Sequence, residues 1–348
     1  MKLKIEILFL TIVFTLFMFE GIVRVFFKNQ IDSKILSNQF YKAVNYVELT
    51  DNKTLMFQLK KDFSSIDRNV SIQTNQEGCR VSSIEKETTD TEAIKIAIVG
   101  DSTAFGWGVE YENTYACLLA KKLEKETGKK YIVKNYCVPG YNTIQELEVY
   151  RTKVKQWNPD ILLIHHDNND PETYGEDTFV AKLSPEYGNT KYHCALYKFT
   201  VRTIKKALMQ AMANKQKEKH QFVQVQDIIS VSGGPIYDEH IKALDTLINE
   251  SESNGTKTIT VLSISYVFQN DESSEKYYEK LHKPLEKHLL DNGKNVWDMY
   301  HPAMNKIKEL GLENTSSWWV SPETHDYHLN NAGHEFVAES LKGYMFAN

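Results

Sequence analysis

The stretch IKIAIVGDSTAFGWGV, Ile94–Val109, decides the fold. Its first six residues are apolar and mostly β-branched apart from Lys95, and they stop at Gly100. That pattern predicts a strand buried on both faces, as in a parallel sheet. Working outward, Asn113–Thr127 repeats apolar residues at helical spacing (Tyr115, Leu118, Leu119, Leu123) and closes at Gly128. Tyr131–Asn135 predicts a second strand, and Asn142 with Gln145 resembles a capping box opening a helix to about Trp157. Asn158-Pro159-Asp160 breaks that helix, and Ile161–Ile164 predicts a third strand. Strand, helix, strand, helix, strand at these lengths implies a parallel sheet covered on both sides.

Further strands are expected at Thr258–Ile264 and Asn295–Trp297, with a terminal helix from Asn331 to about Tyr344. The expected fold is α/β: a flavodoxin-like three-layer α/β/α sandwich with a five-stranded parallel sheet and a helical insertion. The insertion, about 171–256, holds an expected helix at Tyr197–Lys217, a Gly233-Gly234-Pro235 break, and a second helix at Asp238–Asn249. The lysines of the first helix read as a solvated face. Residues 29–92 are polar with short apolar bursts and read as a stalk or wrapping segment; the main domain is 93–348.

The chain has 348 residues, 41% hydrophobic and 25% charged, which excludes a mainly disordered chain. A net charge of −5 argues against nucleic acid as a partner. Ile7–Phe19 carries no charge and follows Lys2 and Lys4. With no small-residue cleavage site after it, residues 1–28 are expected to form an uncleaved signal anchor, a single membrane pass with the body periplasmic or extracellular. The four cysteines, Cys79, Cys117, Cys137 and Cys194, show no metal-binding spacing, and spacing does not decide whether any of them pair. Cys117 lies in an apolar run and reads as core.

Ligands of parallel sheets bind at the C-terminal strand ends, and polar groups fall there. Gly100-Asp101-Ser102-Thr103 follows the first strand and exposes a hydroxyl in a tight turn. Val138-Pro139-Gly140-Tyr141 follows the second, where the Gly140 N–H can meet an oxyanion. Asp167-Asn168-Asn169-Asp170 follows the third. Asp326-Tyr327-His328-Leu329-Asn330 precedes the last helix and offers a base, His328, with an acid, Asp326, to orient it. His165, His166 and Asp167 invite a metal reading, but adjacent strand residues point to opposite faces and do not ligate one ion together. No metal or organic cofactor is expected.

These blocks together resemble the SGNH (GDSL-type) esterase and acyltransferase superfamily. IAIVGDSTAFGWGV (Ile96–Val109) resembles its first block, with the serine at Ser102. NYCVPGYNTIQ (Asn135–Gln145) places the second-block glycine at Gly140, and DILLIHHDNND (Asp160–Asp170) the third-block asparagine at Asn169. DYHLNNAGHEFVA (Asp326–Ala338) places the histidine at His328. TNQEGCR (Thr74–Arg80) resembles a lead-in of membrane-anchored bacterial members. Two departures stand out: Asp167 occupies a position that is usually glycine, and the acid lies two residues before the base rather than three, where His325 stands.

The resemblance implies a serine-dependent ester hydrolase or O-acyltransferase of the cell envelope. Ser102, His328 and Asp326 would be its triad, and Ser102, Gly140 and Asn169 its oxyanion hole. The expected substrate is an O-acyl ester, such as acetyl groups on a cell-surface polysaccharide. Trp318 and Trp319 are candidates to line the site or to pack in the core. The competing reading is a non-catalytic glycan-binding or assembly protein with the same fold. A nucleotide enzyme is disfavoured, because no glycine-rich phosphate loop follows the first strand.

Overall fold

The computed structural model describes residues 45–52, 54–55, 57–82, 92–167, 170, 235–263, 275, 278–312, 316–321 and 326–347, and near the N-terminus 11, 15–16 and 18–22. The chain divides into two units, Met1–Asn45 with Tyr174–Val223, and Tyr46–Thr173 with Gln224–Asn348. In the first, the described residues between 11 and 22 are helical. Among the described residues no helix is long and apolar enough to cross a membrane. Most of the expected anchor, the helix expected at Tyr197–Lys217, and Cys194 lie outside the described residues.

The second unit begins with short strands. β1 (Val47–Leu49) and β2 (Phe57–Leu59) pair antiparallel. β3 (Ser64–Asp67) and β4 (Val70–Thr74) form a hairpin, and β5 (Arg80–Val81) pairs with β4. Next come β6 (Ile94–Val99), β7 (Tyr131–Asn135), β8 (Ile161–His166), β9 (Lys257–Leu262) and β10 (Val296–Asp298). These five run parallel in the order β10-β9-β8-β6-β7, as the hydrophobic runs predicted. β5 then pairs antiparallel with β7 at Arg80↔Asn135, which extends the sheet to eight strands.

Burial explains the parallel core. Ile96, Ile98, Leu162, Leu163, Ile164, Ile259 and Val261 are fully buried, so both faces of β6, β8 and β9 are covered. The helices are α1 (Ser102–Phe105), α2 (Tyr115–Thr127), α3 (Thr143–Val149, running on through a π segment to Trp157), α4 (Pro235–Ser253), α5 (Lys283–Asp291), α6 (Tyr300–Leu310) and α7 (Asn331–Ala347). α2 packs against α7, and α3 against α4. The Asn142–Gln145 capping box is present at the start of α3, and left-handed Gly128 ends α2.

Three elements lie outside the sequence-based expectations: α5, α6 and the short hairpin β11 (Trp319–Ser321) with β12 (Asp326–Leu329). The individual strands β1–β5 are likewise not marked out by the sequence. β3 alternates between exposed and half-buried residues, and β4 between half-buried and buried ones, and both carry little apolar signal. Trp318 and Trp319 are both buried, and Trp318 stacks on Phe336 with ring centroids 4.3 Å apart, so they pack in the core. Cys79, Cys117 and Cys137 are all buried.

Candidate active site

Ser102 opens α1 directly at the C-terminal end of β6, in the turn that the first block predicted. Asp101 caps that turn: its Oδ1 accepts the Thr103 N–H at 2.9 Å. Gly100 is required just before it. A Cβ there would lie 2.9 Å from the Cβ atoms of both Ala104 and His165, so any side chain would push the turn off β8.

His328 reaches the same point from β12. Its Nε2 lies 2.9 Å from Ser102 Oγ, although 226 residues separate the two in sequence. Ser102 Oγ also donates towards Asp101 Oδ2 at 3.3 Å, the weaker contact by length. With the imidazole proton on Nδ1, Nε2 accepts the hydroxyl proton, the arrangement a nucleophile and its base require. The backbone of Asp326 belongs to the same strand as His328, two residues earlier; its side chain, and all of His325, lie outside the described residues.

The turn after β7 comes to the same rim. Val138 N–H donates to the Gly100 carbonyl at 3.1 Å, which lays the Val138–Gly140 turn beside the Asp101–Ser102 turn. Gly140 has φ +82°, a conformation that favours glycine. Asn169 lies outside the described residues, but the residues flanking it do not. Asp167 Oδ2 accepts the Thr103 hydroxyl at 2.9 Å, and Asp170 Oδ1 accepts the Thr143 hydroxyl at 2.7 Å. The Asp167 N–H closes onto Asp170 Oδ2 at 2.5 Å. Asp167 is thereby tied to the residue after Ser102, and Asp170 to the start of α3, just past Gly140. Asp167, in the position where glycine is usual, is buried and acts as this tie.

His165 and His166 point to opposite sides of the sheet, as strand geometry requires. His165 Nδ1 lies 2.9 Å from the Tyr115 hydroxyl, and His166 Nε2 lies 2.9 Å from His240 Nε2. Asp101, His165 and Asp167 bring one ligand atom each within 4.8 Å of one another, the one such grouping among the described residues. Both of these carboxylates already accept hydrogen bonds from Thr103, so their evident work is to hold the nucleophile turn.

Two features of the site were not legible in the sequence. Trp107 stacks on the His328 ring, with centroids 5.4 Å apart and planes 25° apart. Arg80, fully buried, holds the loop that carries Trp107: its guanidinium donates to the carbonyls of Phe105 (2.6 Å), Gly106 (2.7 Å) and Val109 (2.6 Å). Burial pulls its pKa down to about 10, so it stays cationic at neutral pH.

Behind the nucleophile, Asp101, Asp167, Asp170 and Glu146 are buried together. Burial, then the neighbouring carboxyls, hold Asp101 and Glu146 well above the usual carboxylate range, and burial raises Asp170 to about 8. An acid whose native pKa is raised contributes its full stability below the unfolded value of about 4 and loses it as pH climbs towards the native value. For Asp170 that window ends at about 8. Burial lowers His240 to about 4 and His334 to about 3, which costs stability in the opposite direction, below the unfolded histidine value near 6.5. The acid effect is therefore unopposed above about pH 6.5, where each ionising carboxyl removes about 1.4 kcal/mol per pH unit. The expected result is a thermal midpoint that falls between about pH 6.5 and 8, with a shallower fall in Glu146→Gln. A flat profile in the native protein would refute this account.

Residues 98–336 match the GDSL-like Lipase/Acylhydrolase family, and the chain belongs to that family. No curated protein sequence matches the chain. Among solved structures it is similar to the lipase/acylhydrolase from Enterococcus faecalis (16% identity, 72% of this chain and 96% of that one, TM-score 0.42). It is also similar to the psychrotrophic esterase EstA from Pseudoalteromonas sp. (12% identity, 73% and 97%, TM-score 0.42). A third is the acetyl xylan esterase AlAXEase (15% identity, 73% and 100%, TM-score 0.40).

Proposed function

We propose that this chain is a serine esterase that uses Ser102 as nucleophile and His328 as general base. The observation that carries the reading is the 2.9 Å contact between Ser102 Oγ and His328 Nε2 at the C-terminal rim of a parallel sheet. His328 takes the hydroxyl proton as Oγ attacks the ester carbonyl. The oxyanion accepts hydrogen bonds from the Ser102 and Gly140 N–H groups and the Asn169 side chain. His328 then returns the proton to the departing alcohol, and water releases the acid by the same route in reverse. Asp326 orients the imidazole and stabilises its cation. Acyl transfer is the same sequence with an acceptor hydroxyl in place of water.

The proposed substrate is an O-acyl ester on a cell-surface polysaccharide, acetyl in the simplest case. Its support is the apolar N-terminal run, read as a membrane anchor with the body exported. One experiment tests both parts. The full chain and residues 29–348 are expressed, fractionated and treated with a fluorophosphonate probe. The expected result is one adduct, on Ser102, absent in Ser102→Ala, with the full chain in the membrane fraction and the shorter one soluble. A folded protein that takes no label would favour the glycan-binding reading, and a full chain that is soluble would remove the anchor.

A further inference from the structure

We propose that Arg68 forms a subsite for an anionic group, a carboxylate or a phosphate, on the alcohol half of the ester. The inference rests on the Ser102–His328 reading and adds a substrate class to it. Arg68 comes from the β3–β4 hairpin, which lies outside residues 98–336, the part that matches the family.

Asp67↔Val70 is the last pair of that hairpin, so Arg68 and Asn69 are its two-residue tip. Both have positive φ, +50° and +65°. Such a turn favours Asn or Gly, and a long cationic side chain at its first position is disfavoured. A residue kept against its backbone preference invites a functional explanation.

The side chain supplies one. The Arg68 guanidinium lies 4.7 Å from the centre of the Trp107 ring, and the same ring stacks on the imidazole of His328. An exposed cation thus stands one indole away from the base, within about one Debye length at physiological salt. His328 delivers its proton to the leaving oxygen, so the alcohol departs on the imidazole side of the site. A charge on that alcohol is the part of the substrate that meets Arg68. The chain's net charge of −5 repels anions at long range, so selection for one has to come from a contact of this kind.

The bland alternative is that Arg68 only props Trp107 against His328. The two differ in one readout: a prop affects every ester alike, whereas a subsite changes the ratio between charged and neutral esters. The test compares 4-acetoxybenzoate with 4-acetoxybenzamide, which share an acyl group and differ in charge on the leaving alcohol. For the full chain, kcat/KM corrected for uncatalysed hydrolysis is expected to favour the benzoate about fivefold, the scale of an exposed ion pair. High salt should shrink that preference. R68N suits the turn and is expected to fold at least as well, and it should bring the ratio to about one; R68E should reverse it. Equal losses on both esters, or a wild-type ratio already near one, would overturn the subsite. If neither ester is cleaved, the esterase reading fails separately. Binding of 4-hydroxybenzoate against 4-hydroxybenzamide then decides the subsite, with wild-type preference for the benzoate lost in R68N as the supporting result and no preference as the overturning one.

Discussion

His328→Ala is expected to lower kcat on a simple acetate ester by about 10⁴-fold while leaving the protein folded. The imidazole is half-buried at the end of β12, so its removal costs little packing. What it removes is the acceptor 2.9 Å from Ser102 Oγ. A neutral serine hydroxyl is a poor nucleophile, and among the described residues no other nitrogen base hydrogen-bonds to Oγ. Asp101 Oδ2 faces the hydroxyl only at the longer distance of 3.3 Å, and its other oxygen is engaged in capping the turn through the Thr103 N–H. Fluorophosphonate labelling of Ser102 should slow in parallel. Activity within tenfold of wild type would show that His328 is not the base.

Arg80→Ala is expected to produce the largest loss of stability of any single substitution near the site, about 3–5 kcal/mol by chemical denaturation. The guanidinium satisfies three buried carbonyls and lies 4.6 Å from the Phe105 ring centre. Without it the Phe105 and Val109 carbonyls lose the guanidinium donor, at a cost of about 1–3 kcal/mol each before relaxation, while the Gly106 carbonyl keeps the Val109 N–H at 3.2 Å. Gly106 adds to the problem: the chain there is left-handed, with φ +88°, and depends on its neighbours to hold it. Arg80→Lys keeps the charge but loses the planar fork, so it should recover only part of the loss. Because the 105–109 loop carries Trp107, the folded fraction of Arg80→Ala should also show reduced kcat through a less constrained His328. An unfolding free energy within about 0.5 kcal/mol of wild type would show that the carbonyls find other donors.

Arg80 also illustrates the limit of reading the chain linearly. It stands in TNQEGCR, a stretch that resembles a lead-in of membrane-anchored bacterial members, yet nothing local says that its guanidinium ends up inside the loop at 105–109. The same is true of Asp167. Its departure from the usual glycine is visible in the sequence, but the work it does, a buried tie to Thr103, is not.

The sequence by itself determined the central sheet and the order of the chemical blocks. IAIV and ILLI are apolar on both faces, the pattern of a covered parallel strand, and Gly128 and the Asn142–Gln145 pair mark helix ends through local hydrogen bonding. Local and near-local physics suffices for these features, so they are legible. Only the tertiary structure decided that Ser102 and His328 meet, that Asp167 and Asp170 lock the turns around them, and that the β3–β4 hairpin brings Arg68 to Trp107. Each of these joins residues distant in sequence through one hydrogen bond or ring contact. Such a contact leaves no periodicity behind, and it exists only once the sheet has placed both partners on the same rim.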